Sequence, residues 1–125
     1  MPYSIRVIPE QRLIIATADG PITLADIEAY LDRVYVAGQL SFAKLVDNRA
    51  CDLELTDEET EFLAARIRAY RSHGETLGPV AMVVKPPDRF NARLFRTLAE
   101  ADRPVRIFFE IAPAREWLEG ARVAA

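Results

Sequence analysis

Residues 44–59 read KLVDNRACDLELTDEE and contain the change from strand to helix around which we expect the fold to be organised. The apolar residues at the start of this stretch predict a strand from Phe42 to Val46 that ends at Asp47. Thr56, followed by Glu59 three residues later, predicts a capping box that starts a helix. The carboxyl ends of strands usually carry the functional groups of α/β domains. No complete catalytic motif occurs here, so the stretch predicts a fold rather than a reaction.

The segments before and after this stretch carry their own periodic patterns. Alternating apolar residues at the start of the chain predict a β-hairpin that ends at Gly20 and Pro21, and Thr23 is placed to cap the first helix. The helix that follows Thr56 is predicted to be amphipathic. Its buried face is predicted to contain Phe62, Leu63, Ile67 and Tyr70.

The second half of the chain completes the predicted sheet. Short apolar runs at Val80–Val84 and Val105–Phe109 predict strands, and the residues between Asp88 and Pro104 predict a helix that joins them. Helices that alternate with strands favour a mostly parallel sheet. We therefore expect a single α/β domain over residues 1–125, with a mixed five-stranded sheet and the chain order ββαβαβαβα.

Composition excludes several classes of function. The formal net charge of −3 provides no broad basic surface, so we expect no binding to nucleic acid. No apolar run approaches the roughly 18 residues of a membrane span, and no signal pattern is present, so we expect no integral membrane segment and a cytoplasmic location. Cys51 is the only cysteine, which excludes an internal disulfide and a cysteine-based metal cluster within one chain.

The order and apolar pattern of these segments resemble those of STAS domains, the fold of bacterial anti-sigma factor antagonists and of the cytoplasmic tails of sulfate transporters. A more distant likeness is to the lipid-carrying CRAL-TRIO family. The matching segments are FAKLVDNR (42–49), TDEETEFL (56–63), VAMVV (80–84) and VRIFFEIAPAREWL (105–118), together with the opening hairpin. The resemblance implies a STAS-like α/β fold and a non-enzymatic role in protein interaction or regulation, with a homodimer as one form.

In regulatory STAS domains, a kinase phosphorylates a serine at the start of the helix that follows the third strand. Asp47 matches the aspartate that ends this strand, and Thr56 lies near the phosphoacceptor position. The Asp-Ser-Ser-Gly core of the family is absent, and three carboxylates after Thr56 would repel a phosphate, so we expect Thr56 to be a structural cap. The partner surface predicted by this resemblance is the loop from Asn48 to Leu55 with the first turn of the second helix. The predicted partner-binding residues are Asp47, at the end of the preceding strand, and Asn48, Arg49, Thr56, Asp57 and Glu58.

An arginine pattern suggests a second function. Arg89, Arg93 and Arg96 recur at steps of four and three residues, which places them on one face of a helix, and Lys85 lies just before them. Such a face could bind a small anionic or lipid-like ligand, because guanidinium groups pair well with carboxylates and phosphates. The alternative is a solvated helix face whose charges pair with scattered acids.

The sequence contains no recognisable set of catalytic or metal-binding residues. His73 is the only histidine and is expected at the exposed end of a helix, while Cys51 is expected to be a partly buried side chain of a loop. The carboxylates after Asp52 do not have the spacing of a calcium loop. An enzyme that uses Asp47, Arg49 or Cys51 is the least favoured hypothesis, and we expect no cofactor and no metal.

Overall fold

The structure is a computed structural model that describes residues 2–86, 96 and 104–124. A short 3-10 helix, Pro9–Gln11, joins the first two strands. The other elements are β1 (Tyr3–Ile8), β2 (Leu13–Ile22), α1 (Leu24–Val36), β3 (Ala43–Leu53), α2 (Asp57–Ser72), β4 (Val80–Val83), β5 (Val105–Phe108) and α3 (Ile111–Ala124). The helix predicted between Asp88 and Pro104 lies outside the described residues, apart from Arg96.

The strands form one sheet in the order β1-β2-β3-β4-β5. Strand β1 pairs with β2 in the antiparallel direction, and the later neighbours all pair in parallel. A two-strand hairpin can be antiparallel because its connection is short, whereas each parallel pair needs a crossover segment. The predicted mixed five-stranded sheet with an opening hairpin is confirmed.

The helices cover both faces of this sheet. The parallel strands β2, β3 and β4 are added to the sheet in one direction. Because each crossover between them is right-handed, the helices of these crossovers lie on the same face of the sheet. Accordingly, α1 and α2 share one buried cluster with Ile14 and Met82, whereas α3 packs on the opposite face against Leu45 and Val83. The alternation of side chains along each strand divides the core into these two layers.

Both predicted helix caps are present. The Thr23 hydroxyl accepts a hydrogen bond from the Asp26 amide, and the Asp26 carboxylate accepts one from the Thr23 amide. At α2, the Glu59 amide donates to Thr56 Oγ1 at 3.1 Å, and the Thr56 amide donates to Glu59 Oε1 at 2.9 Å. Each box satisfies two backbone donors that the helix itself leaves unpaired.

Two strands are longer than the sequence predicted. Strand β3 does not end at Asp47, and the predicted loop from Asn48 to Leu55 is mostly strand, because β3 continues to Leu53. Strand β2 likewise continues through Gly20 and Pro21 to Ile22. The two extensions pair with each other, from Asp19 opposite Ala50 to Ile22 opposite Leu53. Strand β1 begins opposite Ala18 and does not extend beside Pro21. Pro21 therefore has a neighbouring strand on one side only, and the absence of an amide hydrogen is tolerated at this edge position.

The prediction for Phe62 is also wrong. Its side chain is 54% exposed, whereas Leu63 and Ile67 are buried and Tyr70 is half-buried as predicted. The buried face of α2 contains Thr60, Leu63 and Ile67. Because successive helical residues are rotated by about 100°, Phe62 lies outside this face and points towards solvent.

Candidate functional site

A cavity of about 70 Å³ lies between the sheet and the layer formed by α1 and α2. Three residues of β3 line it, namely Lys44, Val46 and Asn48, because side chains two residues apart along a strand point to the same face. Helix α1 contributes Tyr30 and Val34, and α2 contributes Leu63, Ile67 and Tyr70. The wall of the cavity is therefore mostly apolar, and β3 contributes polar residues at two positions.

These two polar positions lie at different levels of the cavity wall. Lys44 and Asn48 are four residues apart along the strand, so their Cα atoms are roughly 13 Å apart. Lys44 pairs with Val80 of β4 and lies beside Leu40. Asn48 lies at the level where Tyr3 of β1 lines the cavity. Lys44 and Asn48 thus line the cavity at two levels of β3, with Val46 between them.

Lys44 is the least expected residue of this site. It is 3% exposed, and its Nζ donates a hydrogen bond to the carbonyl oxygen of Leu40. The same carbonyl oxygen accepts a hydrogen bond of 2.9 Å from the amide of Gly78, which fixes its position. Lysine is rarely this deeply buried, because removal of an ammonium from water carries a large free-energy penalty.

Two tyrosines, Tyr3 and Tyr30, also line the cavity. The rings of Tyr3 and Tyr30 are in contact, with centroids 5.5 Å apart. Burial is the main cause that raises the pKa of the Tyr3 hydroxyl, and nearby Cys51 and Tyr30 raise it further. The Tyr3 hydroxyl therefore stays neutral at physiological pH.

An ion-pair cluster joins the two helices over the cavity. Arg66 of α2 forms ion pairs with Glu28, at 3.4 Å, and with Asp32 of α1. Its Nε also donates to the hydroxyl of Tyr70 at 3.0 Å, and the Tyr70 ring stacks on that of Tyr35. We call this group the Arg66 clasp, because it connects α1 and α2 where both helices line the cavity.

A second, open depression of about 330 Å³ lies at the carboxyl ends of β3 and β4. It is lined by residues 48–52, with Lys85 and Pro86 on the β4 side. We call it the strand-end groove. Asn48 borders both this groove and the cavity, although it is only 1% exposed.

An internal ion pair lies next to the strand-end groove. Arg49 binds Asp47 through two side-chain hydrogen bonds, Nε to Oδ1 at 3.0 Å and Nη2 to Oδ2 at 2.9 Å. The side-chain hydrogen bond from Arg49 lowers the pKa of the Asp47 carboxyl, although partial burial acts in the opposite direction. Both charges are thus largely neutralised within the chain.

The structure separates the residues predicted to bind a partner. Asn48 and Arg49 line the strand-end groove together with Lys85, which had been assigned to the anion-binding set. Thr56 instead caps α2 through its hydroxyl, as expected, and Asp57 and Glu58 are exposed in the first helical turn. Of the other predicted anion-binding residues, Arg96 is exposed, and Arg89 and Arg93 lie outside the described residues.

Arg49 and Cys51 both line the strand-end groove, but the structure does not bring His73 to them. Cys51 lies in β3 rather than in a loop, and its Sγ is 3.4 Å from the carbonyl oxygen of Asn48. His73 is at the opposite end of α2, where its Nδ1 lies 2.7 Å from the carbonyl oxygen of Ala69. The two residues border different surface depressions.

The described residues contain neither a metal-binding cluster nor a membrane-spanning helix. Within residues 2–86, 96 and 104–124, no group of three or more His, Cys, Asp or Glu side chains could hold a metal ion. In the same part of the chain, no helix combines the length and the apolar character needed to cross a membrane.

The cavity and its lysine were not predicted from the sequence, although a signal was present. Lys44 interrupts the apolar run of residues 42–46 and shares the period of Val46, which places both on one face of a strand. A charged residue within the apolar pattern of a predicted strand is a recognisable candidate for function. The volume of the cavity, in contrast, depends on side-chain packing between distant segments.

Comparison with known proteins supports the fold. No protein-family model and no curated protein sequence matches this chain. Among solved structures, the chain is similar to an uncharacterised protein of the DUF3478 family with a SpoIIAA-like fold from Shewanella loihica PV-4. The two share 18% sequence identity with a TM-score of 0.59, and the match covers 93% of this chain and 91% of that chain. The predicted STAS-like fold is confirmed, and we conclude that this chain has a SpoIIAA-like α/β fold.

Proposed function

We propose that this chain is a non-enzymatic domain that binds a small molecule in the cavity between the sheet and helices α1 and α2. The observation that carries the proposal is the burial of Lys44 in the wall of that cavity. Small-molecule sites are typically concave and mostly apolar, with a few polar groups that orient the ligand. The cavity has these features, with Lys44 and Asn48 as the polar groups.

A stability argument also supports this proposal. A core position filled by an apolar side chain of similar length would avoid the penalty of burying an ammonium group. Functional sites often contain residues that lower the stability of the fold, because the residues needed for function are not those that would stabilise it most. The burial of Lys44 in the cavity wall supports a functional role for this position.

Titration of the ¹⁵N-labelled protein with small alcohols, amines, carboxylic acids and benzene, followed by NMR, tests the proposal. We expect at least one class of probe to shift the amide signals of Val46, Ile67 and Met82 in a saturable manner. The variant Val46→Phe should abolish these shifts because its larger side chain would fill the cavity. The matched control is Val36→Phe, at a position that is 86% exposed, and it should bind as the wild type does.

Two results would contradict the proposal. The first is that no probe class produces saturable shifts of the cavity residues. The second is that all saturable shifts lie at the strand-end groove, around Arg49 and Lys85. Both results can be obtained with the wild-type protein alone, so they do not depend on how well the variants fold.

A regulatory protein-interaction role is the second candidate, and the strand-end groove is the observation that favours it. The groove brings Asn48, Arg49 and Lys85 to the carboxyl ends of two parallel strands, where α/β proteins usually bind their ligands. A pull-down should lose its partner with the double change Arg49→Glu and Lys85→Glu. Recovery of the same partner from this variant would exclude the groove as the interface.

A further inference from the structure

We infer that ligands enter the cavity past Tyr70, and that the Arg66 clasp controls this passage by holding the Tyr70 side chain as a gate. The inference rests on the proposed function and adds the entry route of the ligand and the residues that regulate it. It is carried by the position of Tyr70 at the border of the cavity and of an open surface depression, and by the contacts that hold its ring.

The open depression has a volume of about 410 Å³ and is lined by the second halves of α1 and α2. Helix α1 contributes Asp32 and Tyr35, and α2 contributes Arg66, Ala69 and Tyr70. Among the described residues, Tyr70 alone lines both this depression and the cavity. The Tyr70 side chain is therefore the part of the cavity wall that borders the depression.

The strand-end groove also shares one residue with the cavity, but that residue is a poorer gate. The shared residue is Asn48, which is only 1% exposed, whereas Tyr70 is half-buried and lies in the last turn of α2. The ends of helices fray, and side chains in contact with solvent change rotamer much faster than packed elements move apart. The route past Tyr70 therefore requires the smaller movement.

The Arg66 clasp holds the Tyr70 ring in the closed position. Arg66 Nε donates a hydrogen bond of 3.0 Å to the Tyr70 hydroxyl, and the ring stacks on Tyr35 with centroids 5.3 Å apart. Arg66 is itself held by its ion pairs with Glu28 and Asp32 of α1. The Arg66 side chain does not line the cavity, so its removal frees the Tyr70 ring without changing the cavity wall.

Xenon exchange tests the inference, because xenon is a single apolar atom that binds in apolar cavities. Amide shifts of the ¹⁵N-labelled protein under xenon pressure give the dissociation constant, and saturation-transfer NMR of xenon gives the rate at which it leaves. We expect Arg66→Leu to raise this exit rate about tenfold, since a hydrogen bond to a charged group contributes roughly that factor. The dissociation constant should stay close to the wild-type value, because Arg66 does not line the cavity.

Tyr70→Phe is the second variant, and Arg68→Leu is the control. Tyr70→Phe keeps the ring in the cavity wall and removes only the hydroxyl that Arg66 binds, so its exit rate should also rise. Arg68→Leu removes an exposed arginine of the same helix and should keep the wild-type exit rate. Because Tyr70→Phe is a small change, a folding defect in Arg66→Leu would leave the test intact.

The outcomes separate this inference from the proposed function. If xenon shifts the cavity signals but leaves Arg66→Leu and Tyr70→Phe at the wild-type rate, Tyr70 is not the gate and the proposed function stands. If Arg68→Leu speeds the exit as much as Arg66→Leu does, the effect comes from a general loosening of α2 and the inference is wrong. If xenon shifts none of the cavity signals, no passage opens to it and the inference is also wrong. The proposed function is then decided by the small-molecule titration alone.

Discussion

Asp47 and Arg49 show how neighbouring residues of one strand can create a pH-dependent contribution to stability. The side-chain hydrogen bond from Arg49 lowers the pKa of Asp47 in the folded chain. A carboxyl whose pKa is lowered by folding stabilises the protein above its unfolded pKa of about 3.9, and this stabilisation is lost as the pH falls through the folded value. The contribution is moderated by solvent, because the Arg49 side chain is 43% exposed.

We therefore predict that Asp47→Asn lowers the free energy of unfolding at neutral pH and has progressively less effect below about pH 4. Urea unfolding of both proteins between neutral pH and about pH 2 measures this difference. The control is Asp52→Asn, at an exposed position of the same strand, and its effect should be small throughout. A difference between wild type and Asp47→Asn that stays constant down to the lowest pH would show that the ion pair makes no such contribution.

At the residue scale, sequence patterns predicted local interactions well and long-range ones poorly. Thr56 and Glu59 form their capping box within one helical turn, so four consecutive residues contain all the information needed. The exposure of Phe62 depends instead on how α2 is rotated against the sheet. The burial of Lys44 follows from the alternation in β3, but its contact with Leu40 depends on the path of the chain after α1.

The Arg66 clasp belongs to the scale of elements, because it holds α1 and α2 together. The guanidinium can bind Glu28, Asp32 and Tyr70 at the same time because its donors are arranged as a planar fork. The side chain is 21% exposed, so its hydrogen bonds are partly protected from water. Hydrogen bonds to charged groups at such sites contribute more than fully exposed ion pairs do.

We predict that Arg66→Leu lowers the free energy of unfolding by about 1–2 kcal/mol. Arg66→Lys should restore only part of this loss, because an ammonium group lacks the fork geometry. Chemical denaturation measures both values, and Arg68→Leu is the matched control at an exposed position of the same helix. If Arg66→Leu and Arg68→Leu have equal effects, the clasp does not stabilise the pairing of the two helices.

The lengths of β2 and β3 could not be predicted from either strand alone. Asn48 to Asp52 is a polar segment that is typical of a loop, and Gly20 and Pro21 usually end a strand. Both segments are extended because each supplies the hydrogen-bonding partner of the other, from Asp19 to Ile22. Such pairing joins residues about thirty positions apart in the chain, and no local pattern contains it.

At the scale of the whole molecule, the alternation of apolar patterns was sufficient to predict the fold. Helices between parallel strands restrict the topology to a few possibilities, and the right-handed crossover rule selects among them. The cavity is different, since it depends on how completely two helices fill the space above Val46 and Met82. The volume left between the helices and the sheet is set by the packing of all the side chains together, so no single segment of the sequence determines it.

Of the five glycines, only Gly78 lacks room for a Cβ atom. It lies between α2 and β4, and its amide donates to the carbonyl oxygen of Leu40 at 2.9 Å. A Cβ atom at this position would overlap the carbonyl oxygens of Ser41 and Phe42, which belong to the segment that leads into β3. Because both neighbours are backbone atoms next to the central strand pair, neither can move without disturbing the register of the sheet.

We predict that Gly78→Ala lowers the free energy of unfolding by about 3 kcal/mol, the upper range for overpacking in a core. The matched control is Gly120→Ala in helix α3, where an added Cβ meets no atom within 4 Å. Alanine is a better helix former than glycine, so this change should stabilise the protein by about 0.5–1 kcal/mol. The thermal and urea midpoints of unfolding should therefore be lower than in the wild type for Gly78→Ala and higher for Gly120→Ala. If Gly78→Ala is as stable as the wild type, Gly78 must lie farther from the carbonyl oxygens of Ser41 and Phe42 than the structure indicates.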